Sequence, residues 1–175
     1  MPGPLFCEGE TVELRPVEES DVEFLQRLVN HPRVRAGIGN SEPVSRAEEA
    51  EWIESTTEDK DVHLLICVDG DPVGSVGLFI ERLTWGTAEV GYSILPEHWG
   101  NGYATDALRR LCAWGFDEQR LHKIVGRAYE TNPASSRVME KVGFEREGVL
   151  RREAFVGGEH VDLHRYGLLA EEFDY

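Results

Sequence analysis

The chain has 175 residues, of which 41% are hydrophobic and 29% charged, values ordinary for one globular domain around a single core. Its formal net charge of -15 excludes a general nucleic-acid binder, because such a protein needs a basic face. No apolar run approaches the roughly 20 residues that cross a membrane, and the N-terminus lacks the basic-then-apolar pattern of a secretory signal. We therefore expect one domain over residues 1–175, located in the cytoplasm.

The acidity has two interpretations. An acidic surface attracts a cationic substrate, and it also keeps a protein soluble in a cytoplasm of high salt. Because the acidic residues are spread along the whole chain rather than clustered, we favour adaptation to salt. Neither interpretation identifies a reaction.

The cysteines and histidines show no ligand pattern. The three cysteines, Cys7, Cys67 and Cys112, are far apart and odd in number, and no Cys-x-x-Cys pair exists. The six histidines lack the spacing of metal ligands. We therefore expect neither a disulfide framework nor a metal site, and interpret Cys67 and Cys112 as small buried residues.

The predicted elements form a mixed α/β chain. Two capping boxes, Ser20–Glu23 and Ser45–Glu48, each open a helix, and Pro32 limits the first one. The segment 34–44 between these helices is a loop or short helix that could cover a site. The predicted strands are 11–17, 63–68, 73–80, 87–95, 123–129, 149–156 and 160–168, and the later helices are 104–119 and 134–142.

A glycine-containing loop, residues 99–105, lies between a predicted strand and a predicted helix. Gly100 and Gly102 permit backbone conformations in which several amides point the same way. The following helix adds free N–H groups and the positive end of its dipole, so the loop suits a pyrophosphate. Asp106, in the first helical turn, is expected to oppose the phosphate slightly. Taken alone, such a short glycine pattern is more typical of a turn that only joins strand to helix.

The run 88–105 resembles motif A of the GNAT N-acetyltransferase superfamily. That motif is usually Gln/Arg-x-x-Gly-x-Gly/Ala, and here it is Trp99-x-x-Gly102-x-Ala104. Tryptophan at the first position is familiar in the RimJ/RimL branch, whose members acetylate the N-termini of ribosomal proteins. Residues 132–144 are similar to the family's motif B, and two motifs in the correct order are far more specific than one.

The resemblance implies a GNAT fold of the α/β (α+β) class. Such a fold has a central, mostly antiparallel sheet of seven strands with about four flanking helices. Its two middle strands, here 87–95 and 123–129, splay apart, and acetyl-CoA lies in the gap as co-substrate. The residues that the resemblance places against acetyl-CoA are Ser93, Ile94, Leu95, Gly100, Asn101, Gly102, Tyr103, Ala104, Thr105, Asn132 and Ser135.

The chemistry needs a general base, because an aliphatic amine is mostly protonated at pH 7 and must be neutral to attack a thioester. Glu89 is the first candidate, since some relatives carry a catalytic glutamate on this strand and partial burial would raise its pKa. A structural glutamate that pairs with a neighbouring strand is the alternative. Glu42 and Glu51 are weaker candidates for the base.

The leaving thiolate needs a proton donor, and here the chain departs from much of the family. Many members place a tyrosine seven residues after the asparagine, where this chain has Met139. In the RimJ/RimL branch a serine three residues after the asparagine is the proposed donor, which is Ser135 here. A serine at a helix start is also an ordinary capping residue. The backbone N–H of Ile94 is the expected oxyanion donor.

The resemblance implies direct transfer of acetyl to a primary amine in a ternary complex. The leading acceptor is a peptide or protein N-terminus, and the alternatives are a polyamine, an aminoglycoside, or no acceptor at all in a silent CoA-binding module. The acceptor would be chosen by segments 34–55 and 83–86 and the last hairpin, with aromatic residues Trp52, Trp85, Phe155 and His160 among them. A homodimer is compatible with the branch and would cover a sheet edge.

Overall fold

A computed structural model describes residues 2–56 and 60–175. Its strands are β1 (Cys7–Glu8), β2 (Glu13–Pro16), β3 (Val62–Val68), β4 (Asp71–Arg82), β5 (Thr87–Ile94), β6 (Lys123–Tyr129), β7 (Glu145–Val156) and β8 (Glu159–Leu169). Its α-helices are α1 (Val22–Asn30), α2 (Pro32–Ile38), α3 (Arg46–Ser55), α4 (Tyr103–Asp117) and α5 (Pro133–Val142). All the strands belong to one sheet in the order β1-β2-β3-β4-β5-β6-β8-β7.

The predicted fold class is confirmed, with small differences in the number of elements. The sheet of the described residues has eight strands rather than seven, because two residues of β1 pair with β2 through Cys7↔Leu14. The described residues contain five α-helices rather than about four, because part of segment 34–44 lies in α2. Pro32 ends α1 and is also the first residue of α2. Proline is well tolerated there, because the backbone N–H that it lacks would have no partner within the helix.

One of the two predicted capping boxes is wrong. The first helix begins at Val22, and the capping contact before it is donated by the Glu18 amide to the Asp21 carboxylate at 2.8 Å. Aspartate fits this place because its short side chain reaches back to an amide three residues earlier. The second box is confirmed, since Ser45 and Glu48 bond each other's backbone amides at 3.2 and 2.7 Å.

Two apolar cores lie on opposite faces of the sheet. Helices α4 and α5 cover one face, where Leu111 and Met139 join a cluster with Val90 of β5. Helices α1 to α3 cover the other, where Leu28 and Ile53 pack with other buried side chains. The thiols of Cys67 and Cys112 are fully buried as predicted, each at 0% exposure. No helix in the described part of the chain combines the length and the apolarity needed to cross a bilayer.

The middle of the sheet opens between β5 and β6. These two strands are parallel, and their register runs only from Thr87↔Lys123 to Glu89↔Val125. Beyond that point β6 continues along β8 as far as Tyr129, while β5 continues along β4 as far as Ile94. The predicted splay is confirmed, and among the described residues it leaves the β6-side edge of the second half of β5 without a strand neighbour.

Candidate active site

The loop before α4 has the backbone geometry of an anion site. Gly100 and Gly102 have φ angles of 81° and 79°, in the left-handed region that favours glycine. A Cβ at either position would meet no described atom within 4 Å, so both glycines face open space. Helix α4 starts at Tyr103, and the amides of its first turn have no partner within the helix. Residues 100–105, predicted from the sequence, thus fit a polyphosphate.

Side-chain contacts hold this loop in place. The Trp99 indole N–H donates to the Ile94 carbonyl at 2.7 Å, and the Asn101 amide donates to the His98 carbonyl at 2.9 Å. The Arg33 guanidinium stacks on the Trp99 ring at 4.4 Å from its centroid. Arg33 therefore brings a positive charge from α2 to the loop, and no pattern in the sequence relates these two segments.

The Asp106 carboxylate, which we expected to repel a phosphate slightly, binds backbone amides instead. Its carboxylate accepts hydrogen bonds from the amides of Glu10, Thr11 and Val12 and from the Thr11 hydroxyl, at 2.6 to 3.1 Å. Although burial alone would raise its pKa, these bonds hold the pKa of the Asp106 carboxyl below its ordinary value. The negative charge of this first-turn residue is thus used to fasten the β1–β2 hairpin to α4.

The open edge of β5 presents the amide of Ile94. The Leu95 amide donates to the Val73 carbonyl at 2.9 Å, on the β4 side. Because successive amides of a strand point to opposite sides, the Ile94 amide points toward the gap, and the Leu95 amide does not. The Ser93 side chain lies on the α1–α3 face, with its hydroxyl oxygen 3.3 Å from that of Ser75.

Asn132 and Ser135 meet at the start of α5. The Asn132 side-chain oxygen accepts from the Ser135 amide at 3.3 Å, as in an N-cap. The Tyr92 phenol oxygen lies 2.9 Å from the Ser135 hydroxyl oxygen and 2.9 Å from its carbonyl oxygen. Burial raises the pKa of Tyr92 to about 12, against a smaller opposing effect of the Ser135 bond. Sequence analysis missed Tyr92, although strand alternation with Val90 places both on the α5 face.

Met139 is buried and packs tightly against β6. The side chain is 1% exposed, and a Cβ on Gly126 would lie 2.5 Å from the Met139 sulfur. The thioether therefore packs directly over β6, and the phenol nearest to α5 comes from Tyr92 on β5 instead.

Glu89 lies at the last paired position before the gap, on the face opposite to Tyr92. Its carboxylate is 2.7 Å from the Arg127 guanidinium, and the same guanidinium nitrogen is 3.6 Å from Glu81. Burial is the main cause that raises the pKa of Glu89, and Glu81 adds to it, while Arg127 lowers the pKa without cancelling the rise. This environment suits a general base, and the ion pair with Arg127 equally fits the structural alternative.

A cleft of about 430 Å³ opens on the Glu89 face, between the sheet and helices α1 to α3. The rings of Trp52 and Phe79 pack on either side of His63, at centroid distances of 4.8 and 5.2 Å. Segment 34–55 contributes to the lining, whereas segment 83–86 and the last hairpin do not. The lining residues are Val17, Leu25, Val29, Ile38, Asn40, Val44, Glu48, Glu49, Trp52, His63, Leu64, Ser75, Val76, Gly77, Phe79, Gly91, Tyr92 and Ser93.

The titratable residues of the cleft differ from those that the sequence suggested. Glu42 and Glu51 are exposed and do not line it. Glu49 and His63 line it and were missed. The sequence contained a signal for Glu49, because it lies one helical turn before Ile53 and so shares its inward face. It contained no comparable signal for His63. Across residues 2–56 and 60–175, no three His, Cys, Asp or Glu side chains form a group that could hold a metal ion.

Comparisons with known proteins agree with this geometry. Residues 11–145 match the family model of the acetyltransferase (GNAT) domain. The chain is 32% identical over 164 residues to "probable N-acetyltransferase YjcK" of Bacillus subtilis, covering 87% of this chain and 91% of that protein. It is 30% identical over 174 residues to "putative ribosomal N-acetyltransferase YdaF" of the same species, covering 95% of each.

Solved structures share the fold over nearly the whole chain. The spermidine N-acetyltransferase of Vibrio cholerae in complex with CoA and spermine superposes with a TM-score of 0.86 at 27% identity. The match covers 93% of this chain and 97% of that one. A structure described as a probable acetyltransferase superposes with a TM-score of 0.85 at 29% identity, covering 95% and 98% of the two chains.

Proposed function

The chain belongs to the GNAT acetyltransferase family, and we propose that it acetylates the N-terminal amine of a peptide or protein by direct attack in a ternary complex. It is an N-acetyltransferase whose acetyl donor is acetyl-CoA. The observation that carries the acceptor proposal is the cleft on the Glu89 face, whose 430 Å³ lies in the range of about 300–1,000 Å³ typical of small-ligand sites. That space suits the first residues of a peptide.

The donor side of the site binds acetyl-CoA through backbone groups. The pyrophosphate lies on the amides of residues 100–105, and the pantetheine follows the open edge of β5. The Arg33 guanidinium beside Trp99 adds a positive charge in a protein whose net charge of -15 repels a polyanion at long range. Asn132 shapes the thioester end by capping α5.

The transfer itself uses residues on both faces of β5. Glu89 removes a proton from the amine, directly or through water, and the neutral nitrogen attacks the thioester carbon. The Ile94 amide stabilises the oxyanion that forms. When the C–S bond breaks, the thiolate takes the hydroxyl proton of Ser135, and a proton from solvent restores that hydroxyl. The Tyr92 phenol donates to the Ser135 carbonyl oxygen, and its oxygen lies 2.9 Å from the Ser135 hydroxyl oxygen. Tyr92 is thus a positioning residue.

The resemblance to the RimJ/RimL branch supports a peptide acceptor. Trp99 at the first position of the loop, Ser135 on α5 and the buried Met139 together match the RimJ/RimL pattern rather than the pattern with a catalytic tyrosine. One relative bears the description of a ribosomal N-acetyltransferase. A homodimer stays a prediction, and β7, which ends the sheet order and exposes Leu150 and Phe155, is the edge that it would cover.

A small amine with several positive charges is the second candidate acceptor. The buried carboxyl of Glu49 in the cleft favours it, because a cationic group there would be attracted. A spermidine N-acetyltransferase shares the fold. The two candidates differ in size and in the number of charges that the cleft must accept.

The test is CoA release from acetyl-CoA with a panel of acceptors, with the products identified by mass spectrometry. The panel contains short peptides with free N-termini, the same peptides with blocked N-termini, spermidine and an aminoglycoside. Acetylation of free peptides alone supports the first candidate, and acetylation of spermidine alone supports the second. Acetyl-CoA binding without any transfer would overturn both and leave a CoA-binding module.

A further inference from the structure

Glu49 occupies an inward position of α3 that a helix of this kind normally fills with an apolar residue. Glu49 and Ile53 are one turn apart and therefore lie on one face of the helix. Their exposed fractions are 5% and 7%, so both side chains are buried. Ile53 belongs to the core of the α1–α3 face, whereas Glu49 borders the cleft.

The Glu49 carboxylate has no partner within the residues that the structure describes. It takes part in no hydrogen bond or ion pair there, although its backbone amide continues the helix by donating to Ser45. Burial raises the pKa of this carboxyl, and no neighbouring charge contributes to the shift. A carboxylate without a partner at an inward helix position destabilises the fold, so an apolar residue would be the more stabilising one here.

The rest of the cleft is arranged for a cation. Its described lining contains two carboxylates, Glu48 and Glu49, and neither lysine nor arginine. The indole of Trp52, in the same lining, offers an aromatic face of the kind that attracts ammonium and guanidinium groups. A neutral acceptor would fill the space but leave the Glu49 carboxylate buried and unpaired, whereas a cation would satisfy it.

We infer that Glu49 anchors a second positively charged group of the acceptor, an ammonium or guanidinium that a carbon chain separates from the amine being acetylated. This inference rests on the proposed function, since it presumes that the amine acceptor occupies the cleft. It narrows the acceptor class to diamines and their longer relatives, or to peptides whose first side chain is lysine or arginine. Acceptors with one charge bind without this contact.

The experiment measures acceptor binding separately from transfer. Putrescine, cadaverine, spermidine and the peptide Lys-Ala-Ala amide are titrated calorimetrically into the CoA-saturated protein. The singly charged controls are n-butylamine, n-pentylamine and Ala-Ala-Ala amide. The proteins are the wild type, Glu49→Gln, and the matched control Glu51→Gln, which changes an exposed glutamate on the same helix. Glu49→Gln keeps the side-chain size, and a melting curve checks that it folds.

We expect at least one amine with several charges to bind about 10-fold or more tightly than the monoamines, in keeping with a charge-assisted contact. Glu49→Gln should remove that advantage and leave monoamine binding unchanged, while Glu51→Gln should leave the advantage in place. Equal affinities for all amines, or an advantage that survives in Glu49→Gln, would overturn the inference.

A transfer assay on the same proteins separates this inference from the proposed function. If acetylation depends neither on the number of charges on the acceptor nor on the Glu49→Gln substitution, the proposed function stands and the role of Glu49 as an anchor is overturned. Binding that depends on Glu49 without any acetyl transfer would keep the anchor and overturn the proposed function.

Discussion

The phenol oxygen of Tyr92 lies 2.9 Å from the hydroxyl oxygen of Ser135, and this contact joins strand β5 to helix α5 across the splayed part of the sheet. The raised pKa of Tyr92, about 12 because of burial, keeps the phenol protonated throughout the neutral range. The protonated phenol donates to the Ser135 carbonyl oxygen, 2.9 Å away, which fixes the start of α5 against β5 and supports the proposed positioning role of Tyr92.

The pair gives a prediction about kcat. Ser135→Ala should lower kcat about 10²-fold, the lower end for a lost general acid. Tyr92→Phe should lower it about 3- to 10-fold, as expected for one hydrogen bond, and should leave the KM for acetyl-CoA nearly unchanged. Steady-state kinetics with saturating acceptor measures both effects.

The double variant decides whether Tyr92 acts through Ser135. In the Ser135→Ala background, Tyr92→Phe should cost nothing further, because the group that it positions is gone. Ser136→Ala, one residue along α5, is the matched control and should keep full activity. Independent, multiplying losses would contradict a positioning role for Tyr92.

Asp106 gives a prediction about stability. Its carboxylate has a lowered pKa in the folded state, so it stabilises the protein above the unfolded pKa and loses that effect as the pH falls through the folded value. Asp106→Asn should therefore lower the free energy of unfolding at neutral pH by roughly 2–3 kcal/mol, because amide donors of residues 10–12 lose a charged acceptor. The penalty should shrink below about pH 4.

Urea unfolding at several pH values measures this effect. Asp117→Asn, which changes an exposed carboxylate at the other end of α4, is the control and should change the free energy by no more than about 0.5 kcal/mol. A penalty for Asp106→Asn that is independent of pH would mean that the charge does not carry the stabilisation.

The sequence predicted the parts of this protein that depend on local pattern. The loop at Gly100 and Gly102 and the hairpin at Gly157 follow from glycines that adopt positive φ, so their positions were predictable. Contacts between distant segments were not. Nothing local relates Asp106 to Thr11, or Arg33 to Trp99, because each contact depends on how whole elements pack.

Gly102 gives a prediction about acetyl-CoA binding. Gly102→Glu places a negative side chain where the pyrophosphate lies, and it also forces a residue with a Cβ to adopt φ of 79°. Calorimetric titration should show loss of acetyl-CoA binding. High salt should strengthen binding to the wild type, because it screens the repulsion between CoA and a chain of net charge -15.

Gly157→Glu is the matched control for that titration. Gly157 also has a positive φ, of 63°, and a Cβ there would meet no described atom within 4 Å. Gly157→Glu therefore introduces the same backbone strain and the same negative charge as Gly102→Glu. Gly157 lies in the β7–β8 turn, away from the loop of residues 99–105. The Gly157→Glu protein should therefore bind acetyl-CoA as the wild type does. Equal losses in both variants would point to a general effect of charge rather than to the loop.

The ion pair of Glu89 and Arg127 gives a prediction about pH dependence. If Glu89 is the base, it must be deprotonated, so kcat/KM rises as the pH passes its pKa, which lies above the ordinary glutamate value. Arg127 lowers that pKa, so Arg127→Met should raise it and move the acid limb of the profile to higher pH. Glu89→Gln should remove this limb and lower kcat/KM by about 10²- to 10⁴-fold.

The pH profile of kcat/KM for these variants separates the base from the structural glutamate. Arg27→Met removes the same charge from an exposed position on α1 and should leave the acid limb in place. An acid limb that Arg127→Met leaves unmoved, and that persists in Glu89→Gln with a small loss of rate, would assign Glu89 to the ion pair alone. The proton would then leave the amine through water or through a group that lines the cleft, such as the His63 imidazole.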